Sequence, residues 1–174
     1  MDIKTLFGLP AHPLLVHIPV VLIPLAAFGA LGLWWKPWRD RFGIATAVIL
    51  IVAGIFTQLA ISSGQTLRHQ LDNNSALVRA HVAIAEDIRP WLLLFFVALA
   101  AFLWFERKQA AAGPVSMRNP VLAGTLVATI VFAGISVYWV QRIGHTGAKA
   151  VWQPKMDQAQ KHEQTDNGDA KGGG

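Results

Sequence analysis

The chain contains no cysteine, and only 14% of its 174 residues are charged. Without cysteine there are no disulfides, thiolate metal sites, iron–sulfur clusters or C-x-x-C-H haem attachments. Charge is scarce as well: soluble domains carry about 25% charged residues. With 53% hydrophobic residues and a mean hydropathy of +0.42, the chain has too little charge to solvate a globule of its size. An ordinary cytosolic enzyme, a disordered protein and a nucleic-acid partner are excluded on this ground, despite a pI near 10.0. Also missing are an H-E-x-x-H motif, a Ser-His-Asp arrangement and a glycine-rich phosphate loop, so a binding protein fits the sequence better than an enzyme.

What is present is apolar length. Uninterrupted apolar stretches run from Pro13 to Trp35, Phe42 to Ile61 and Pro120 to Val140. Each is long enough, at about 1.5 Å per residue, to cross roughly 30 Å of hydrocarbon. A fourth run, Trp91 to Phe105, is short unless its helix begins upstream near His81, with Pro90 marking a kink or restart. The expected fold is all-α: a four-helix transmembrane bundle over residues 1–153, with spans at about 13–35, 42–61, 81–105 and 120–140. Residues 154–174 are polar, end in three glycines, and read as a disordered tail. The small residues Ala26 to Ala30 resemble a signal-peptide cleavage region, but the apolar run exceeds an h-region, so the first span reads as a retained helix. Trp34, Trp35, Trp38 and Trp104 are expected at one interface, and Trp139 and Trp152 near the other. Gly29, Gly32, Ala47, Gly54, Gly124 with Ala128, and Gly134 are the small positions available for close helix packing.

Four spans place both termini on one side. The two short connections on the other side carry Lys36, Arg39, Arg41, Arg107, Lys108 and Arg118. Lys4, Arg68, Arg79, Arg89, Arg142 and Lys149 are spread over a much longer stretch of the opposite face. That density bias predicts short loops inside and both termini outside. Glu86 and Asp87 beside Arg89 could make a proton path, but a local ion pair at the interface is the favoured reading.

All six histidines fall on the terminal side. Counting along each helix from its basic end puts His12 at roughly 36 Å, His81 at 39 Å, His145 at 40 Å and His69 at 42 Å. His17 lies deeper, at roughly 28 Å. Imidazole is the commonest metal ligand and the usual axial ligand of b-type haem. Candidate cofactor ligands are therefore His12, His17, His81 and His145, with His17 and His81 or His12 and His81 as a haem pair serving electron transfer. A copper or zinc site would draw on His12, His17, His69, His81 and His145. The third reading is a non-catalytic accessory subunit of a membrane complex, with histidines that only hydrogen-bond. Gln58, in the outer half of its helix, could support the histidine layer or bond between helices. His162 lies in the tail and plays no part.

Two segments carry a family resemblance. Gly8-Leu9-Pro10-Ala11-His12-Pro13-Leu14-Leu15-Val16-His17-Ile18-Pro19 resembles the H-P-x-x-V-H-x-P opening of a bacterial membrane family catalogued as domain of unknown function 2231. Gly144-His145-Thr146-Gly147-Ala148-Lys149-Ala150-Val151-Trp152 resembles its closing glycine-rich motif, and His81 stands where members have a histidine at the start of the third span. The resemblance covers roughly residues 8 to 153 and implies a four-span membrane domain, without an activity. The charged Glu86-Asp87-Ile88-Arg89 stretch departs from the more apolar third helix of the family. The histidine arrangement is also similar to that of small b-type cytochromes, a likeness of architecture alone.

Overall fold

The computed structural model describes residues 5–6, 9–70 and 75–172, with side chains described for 11–69 and 75–164. Lys4 and Gly8, named above for charge and motif, lie outside the described residues, as do the last two glycines. A two-residue antiparallel ladder, β1 (Thr5–Leu6) with β2 (Leu9–Pro10), precedes five helices. These are α1 (Ala11–Leu31), α2 (Lys36–Gln70), α3 (Ala76–Glu86), α4 (Ile88–Ala112) and α5 (Pro120–Gly172). Four helical segments are long and apolar enough to cross a membrane: α1 with its following turn, α2, α3 together with α4, and α5.

Helix ends follow local chemistry. Pro90 sits in the first turn of α4, where a missing N–H costs nothing; its ring opposes the carbonyl four residues back, at Glu86, where α3 ends. The third span is therefore two helices joined at Asp87, the restart that Pro90 implies. Asn119 caps α5, its Oδ1 accepting from the N–H of Val121 at 2.9 Å, with Pro120 following as the first helical residue. Ser75 caps α3 through the N–H of Val78. Hydroxyls within the spans bond back to the preceding turn, Thr57 to Ala53, Thr129 to Thr125 and Ser136 to Phe132, so no buried side-chain polar atom among the described residues lacks a partner.

The core runs through the bundle centre on Ile23, Ala26, Ala30, Leu50, Phe95, Leu99, Phe102 and Leu122. Leucines, valines and phenylalanines such as Val21, Phe28, Leu93 and Val127 point outward, as a lipid-facing surface requires. The α1–α2 crossing is the tightest contact. A Cβ on Gly29 would lie 2.5 Å from Thr46 Oγ1, and one on Gly32 would run into the Trp38 ring. Gly54, Gly124 and Gly134 face open space instead, so the small-residue packing read from sequence holds at the first crossing but not at these three.

Three further expectations change. Trp38 does not join the interfacial belt: its Nε1 donates to the Gly29 carbonyl at 3.1 Å, and its ring packs between Phe28 and Phe42. Arg39 is not a solvated loop charge. It is 5% exposed, donates from Nη1 to the Leu33 carbonyl at 3.0 Å, and pairs with Glu106 of α4 at 3.3 Å. Beyond Trp152, where the sequence suggests no order, α5 continues as helix to Gly172 with exposed side chains from Val151 to Gln164.

Candidate functional site: a paired-imidazole pocket

The two histidines that share a depth in the residue count share a site. His12, in the first turn of α1, and His81, in the second turn of α3, have ring centroids 6.5 Å apart with planes at 74°. Each ring is fixed by its Nδ1. His12 Nδ1 lies 2.9 Å from the carbonyl oxygen of Ala60, with Ser63 Oγ at 3.4 Å. A carbonyl only accepts, so Nδ1 carries the hydrogen and Nε2 keeps its lone pair. His81 Nδ1 lies 3.1 Å from Thr146 Oγ1, and that hydroxyl donates its own proton to the Ile143 carbonyl at 3.0 Å. The oxygen of Thr146 therefore accepts from His81, which takes the same tautomer. An Nδ1–H bound to protein oxygen, with Nε2 free, is how metal-ligating imidazoles are usually oriented.

Each ring also rests against a glycine of a neighbouring helix. A Cβ at Gly64 of α2 would lie 2.9 Å from His12 Cε1, and one at Gly147 of α5 would lie 3.1 Å from His81 Cε1. Both histidines line a small apolar cavity of about 70 Å³, to which α1, α2, α3, α4 and α5 all contribute. Its walls include Val16, Ile23, Ile61, Ile88 and Val140, with Thr57 as the remaining polar neighbour. The volume suits one or two water-sized groups at ~30 Å³ each.

Of the five histidines read from the sequence as ligands, His12 and His81 are brought together. His17 lies one turn deeper on α1, exposed, with Nδ1 on the carbonyl of Pro13 in its own helix. His69 and His145 are exposed, as is His162. Among the described residues no three histidine, aspartate or glutamate side chains are placed to hold a metal ion. Gln58 does not reach the pair; its neighbour Thr57 faces the cavity while Gln58 lines a groove against α4. The expected ion pair of Glu86 and Asp87 with Arg89 is not formed either; Glu86 Oε1 accepts from Gln65 Nε2 at 2.7 Å. Sequence reasoning did not single out Ser63, Gly64, Thr146 or Gly147, although Thr146 and Gly147 lie inside the closing motif.

Residues 8–160 match the family described as "Predicted membrane protein (DUF2231)". The chain belongs to that family. No curated protein and no solved structure matches it. The matched region contains both histidines of the pair, both supporting glycines and the Thr146 acceptor, so the whole pocket lies within the family domain.

Proposed function

We propose that the chain is a redox protein of the bacterial inner membrane that holds a b-type haem between His12 and His81, near the outer face. Its termini would lie outside, its short basic connections inside, and a redox partner or a subunit of a membrane complex would exchange electrons with it. The polar segment after Trp152 would be a solvated extension with no core of its own.

The observation that carries this reading is the ring pair. With metal–nitrogen bonds of about 2.0–2.1 Å, two imidazoles on opposite sides of one metal hold their centroids about 6–6.5 Å apart. The separation here is 6.5 Å, and each ring has its lone pair on Nε2. Two protein nitrogens are also the donor set a six-coordinate haem takes, and among the described residues no third ligand joins them. The donors fit the group; the space fits it only after rearrangement. At about 70 Å³ the cavity is smaller than a porphyrin, so side chains such as Val16, Ile61 and Val140 must turn aside to admit its plane.

The size of the cavity favours a second reading, a copper ion held by the same two imidazoles. Zinc is the weaker choice, because its sites take at least three protein ligands. One experiment separates these readings. The protein is expressed with ample haem precursor, purified, and examined by absorbance and by metal analysis. Haem predicts a Soret band with one iron per chain, lost in His12→Ala and in His81→Ala but kept in His17→Ala and His145→Ala. Stoichiometric copper without a Soret band selects the second reading. Neither group bound overturns both, leaving the accessory-subunit reading.

A further inference from the structure

The groove between α2 and α4 opens on the outer surface of the bundle, on the far side of Thr57 from the histidine pocket. It encloses about 380 Å³, room for about a dozen methylene-sized groups at ~30 Å³ each. Leu50, Gly54 and Leu92 line it, with Ile55 and Phe96 at its sides. A Cβ at Gly54 would meet nothing within 4 Å, so the glycine deepens the groove and serves no helix contact. Arg89 and Gln58 also line it. Arg89 lies about 27 Å along the helix from Arg107, and Gln58 about 26 Å from Arg41, which puts both near the outer edge of a hydrocarbon layer about 30 Å thick.

Neither polar side chain has a hydrogen-bond or ion-pair partner among the described residues. Glu86, one helical turn from Arg89, accepts from Gln65 Nε2 at 2.7 Å and makes no ion pair with Arg89. Asp87 is exposed at the α3–α4 junction and makes no ion pair with Arg89. A guanidinium and an amide at this depth, above an apolar trough, lack an anion that accepts hydrogen bonds. We infer that the groove is a site for one anionic phospholipid, its phosphate on Arg89 and Gln58 and one acyl chain along Gly54. The groove lining holds a guanidinium and no carboxylate, so a second copy seated groove to groove would set guanidinium against guanidinium, and charge complementarity selects the lipid.

The test uses the full chain reconstituted into vesicles of equal phosphatidylglycerol and phosphatidylcholine, then extracted and weighed by native mass spectrometry. The wild type retains one lipid per chain, enriched in phosphatidylglycerol. Arg89→Gln lowers that enrichment about fivefold, the factor that about 1 kcal/mol per basic residue at a membrane surface gives. Gly54→Leu, whose Cβ meets no atom within 4 Å, fills the trough and removes the retained lipid of either headgroup, while the melting temperature stays at or above that of the wild type. Equal retention of the two lipids by the wild type overturns the inference. So does unchanged enrichment in Arg89→Gln, undiminished lipid in Gly54→Leu, or a lipid-free dimer that Gly54→Leu disperses.

Discussion

A methyl group placed on Gly64 would lie 2.9 Å from Cε1 of His12, closer than packed carbons approach. The imidazole of α1 is thus held on one edge by the backbone of α2 and on the other by its bond to the Ala60 carbonyl of the same helix. His81 repeats the arrangement on α5, with Gly147 beneath the ring and Thr146 as acceptor.

This arrangement predicts unequal effects of adding one carbon. Gly64→Ala forces His12 off its acceptor and destabilises the protein by about 1–3 kcal/mol, the usual cost of overpacking. Gly147→Ala, with 3.1 Å available, costs less. Thermal unfolding of the two variants in the same detergent checks the order; an equal or reversed ranking counts against the packing described.

Thr146→Val keeps the shape of the side chain and removes the oxygen that receives the His81 proton. Losing this acceptor should cost about 0.5–1.5 kcal/mol, because the Ile143 carbonyl still lies beside His81, and Thr146→Ser should recover most of it. Nitrogen NMR of labelled histidine gives the sharper reading, because Thr146→Val alone should release His81 from its single tautomer. An unchanged tautomer in Thr146→Val would remove Thr146 from the account.

At the opposite end of the bundle, the buried Arg39–Glu106 pair ties the start of α2 to α4 and, through the Leu33 carbonyl, to the turn after α1. Glu106→Gln should cost about 3–5 kcal/mol by stranding the guanidinium, whereas replacing both residues with methionine should cost much less. Unfolding of the single and double variants measures the coupling. Additive effects would show that the two side chains do not act as a pair.

The glycines of the spans separate by their surroundings. Gly29→Ala drives a methyl group to 2.5 Å from Thr46 Oγ1 and should destabilise the α1–α2 crossing. Gly124→Ala and Gly134→Ala enter open space and should be neutral or stabilising by up to about 1 kcal/mol through helix propensity. Comparable losses at all three positions would mean that the open faces are covered by something beyond the chain.

Much of this was legible in the sequence, because in a membrane the length of an apolar run and the rise of a helix fix depth. Counting from the basic ends put His12 and His81 within about 3 Å of the same level, and their rings stand 6.5 Å apart. Pro90 marked the restart of the third span because a proline ring opposes the carbonyl four residues back. Depth says nothing of rotation about the helix axis, however. His69 and His145 have nearly the same level and face outward, and Gln58 turns to the α2–α4 groove where Thr57 turns to the histidines. Arg39 looked like a topology signal because its partner, Glu106, is 67 residues away. Gly64 and Thr146 were silent for a related reason: a glycine under a ring and a hydroxyl beside one have no local pattern.

The central proposal is that His12 and His81 would together hold one haem, and it is tested most directly by removing one of the two imidazoles. If so, the wild type prepared with haem should show a low-spin six-coordinate absorbance spectrum, and His81→Gly should instead be high-spin. Free imidazole should then restore the low-spin spectrum by entering the space the side chain left. If His81→Gly carries the wild-type spectrum before imidazole is added, His81 is not a ligand and the account is contradicted.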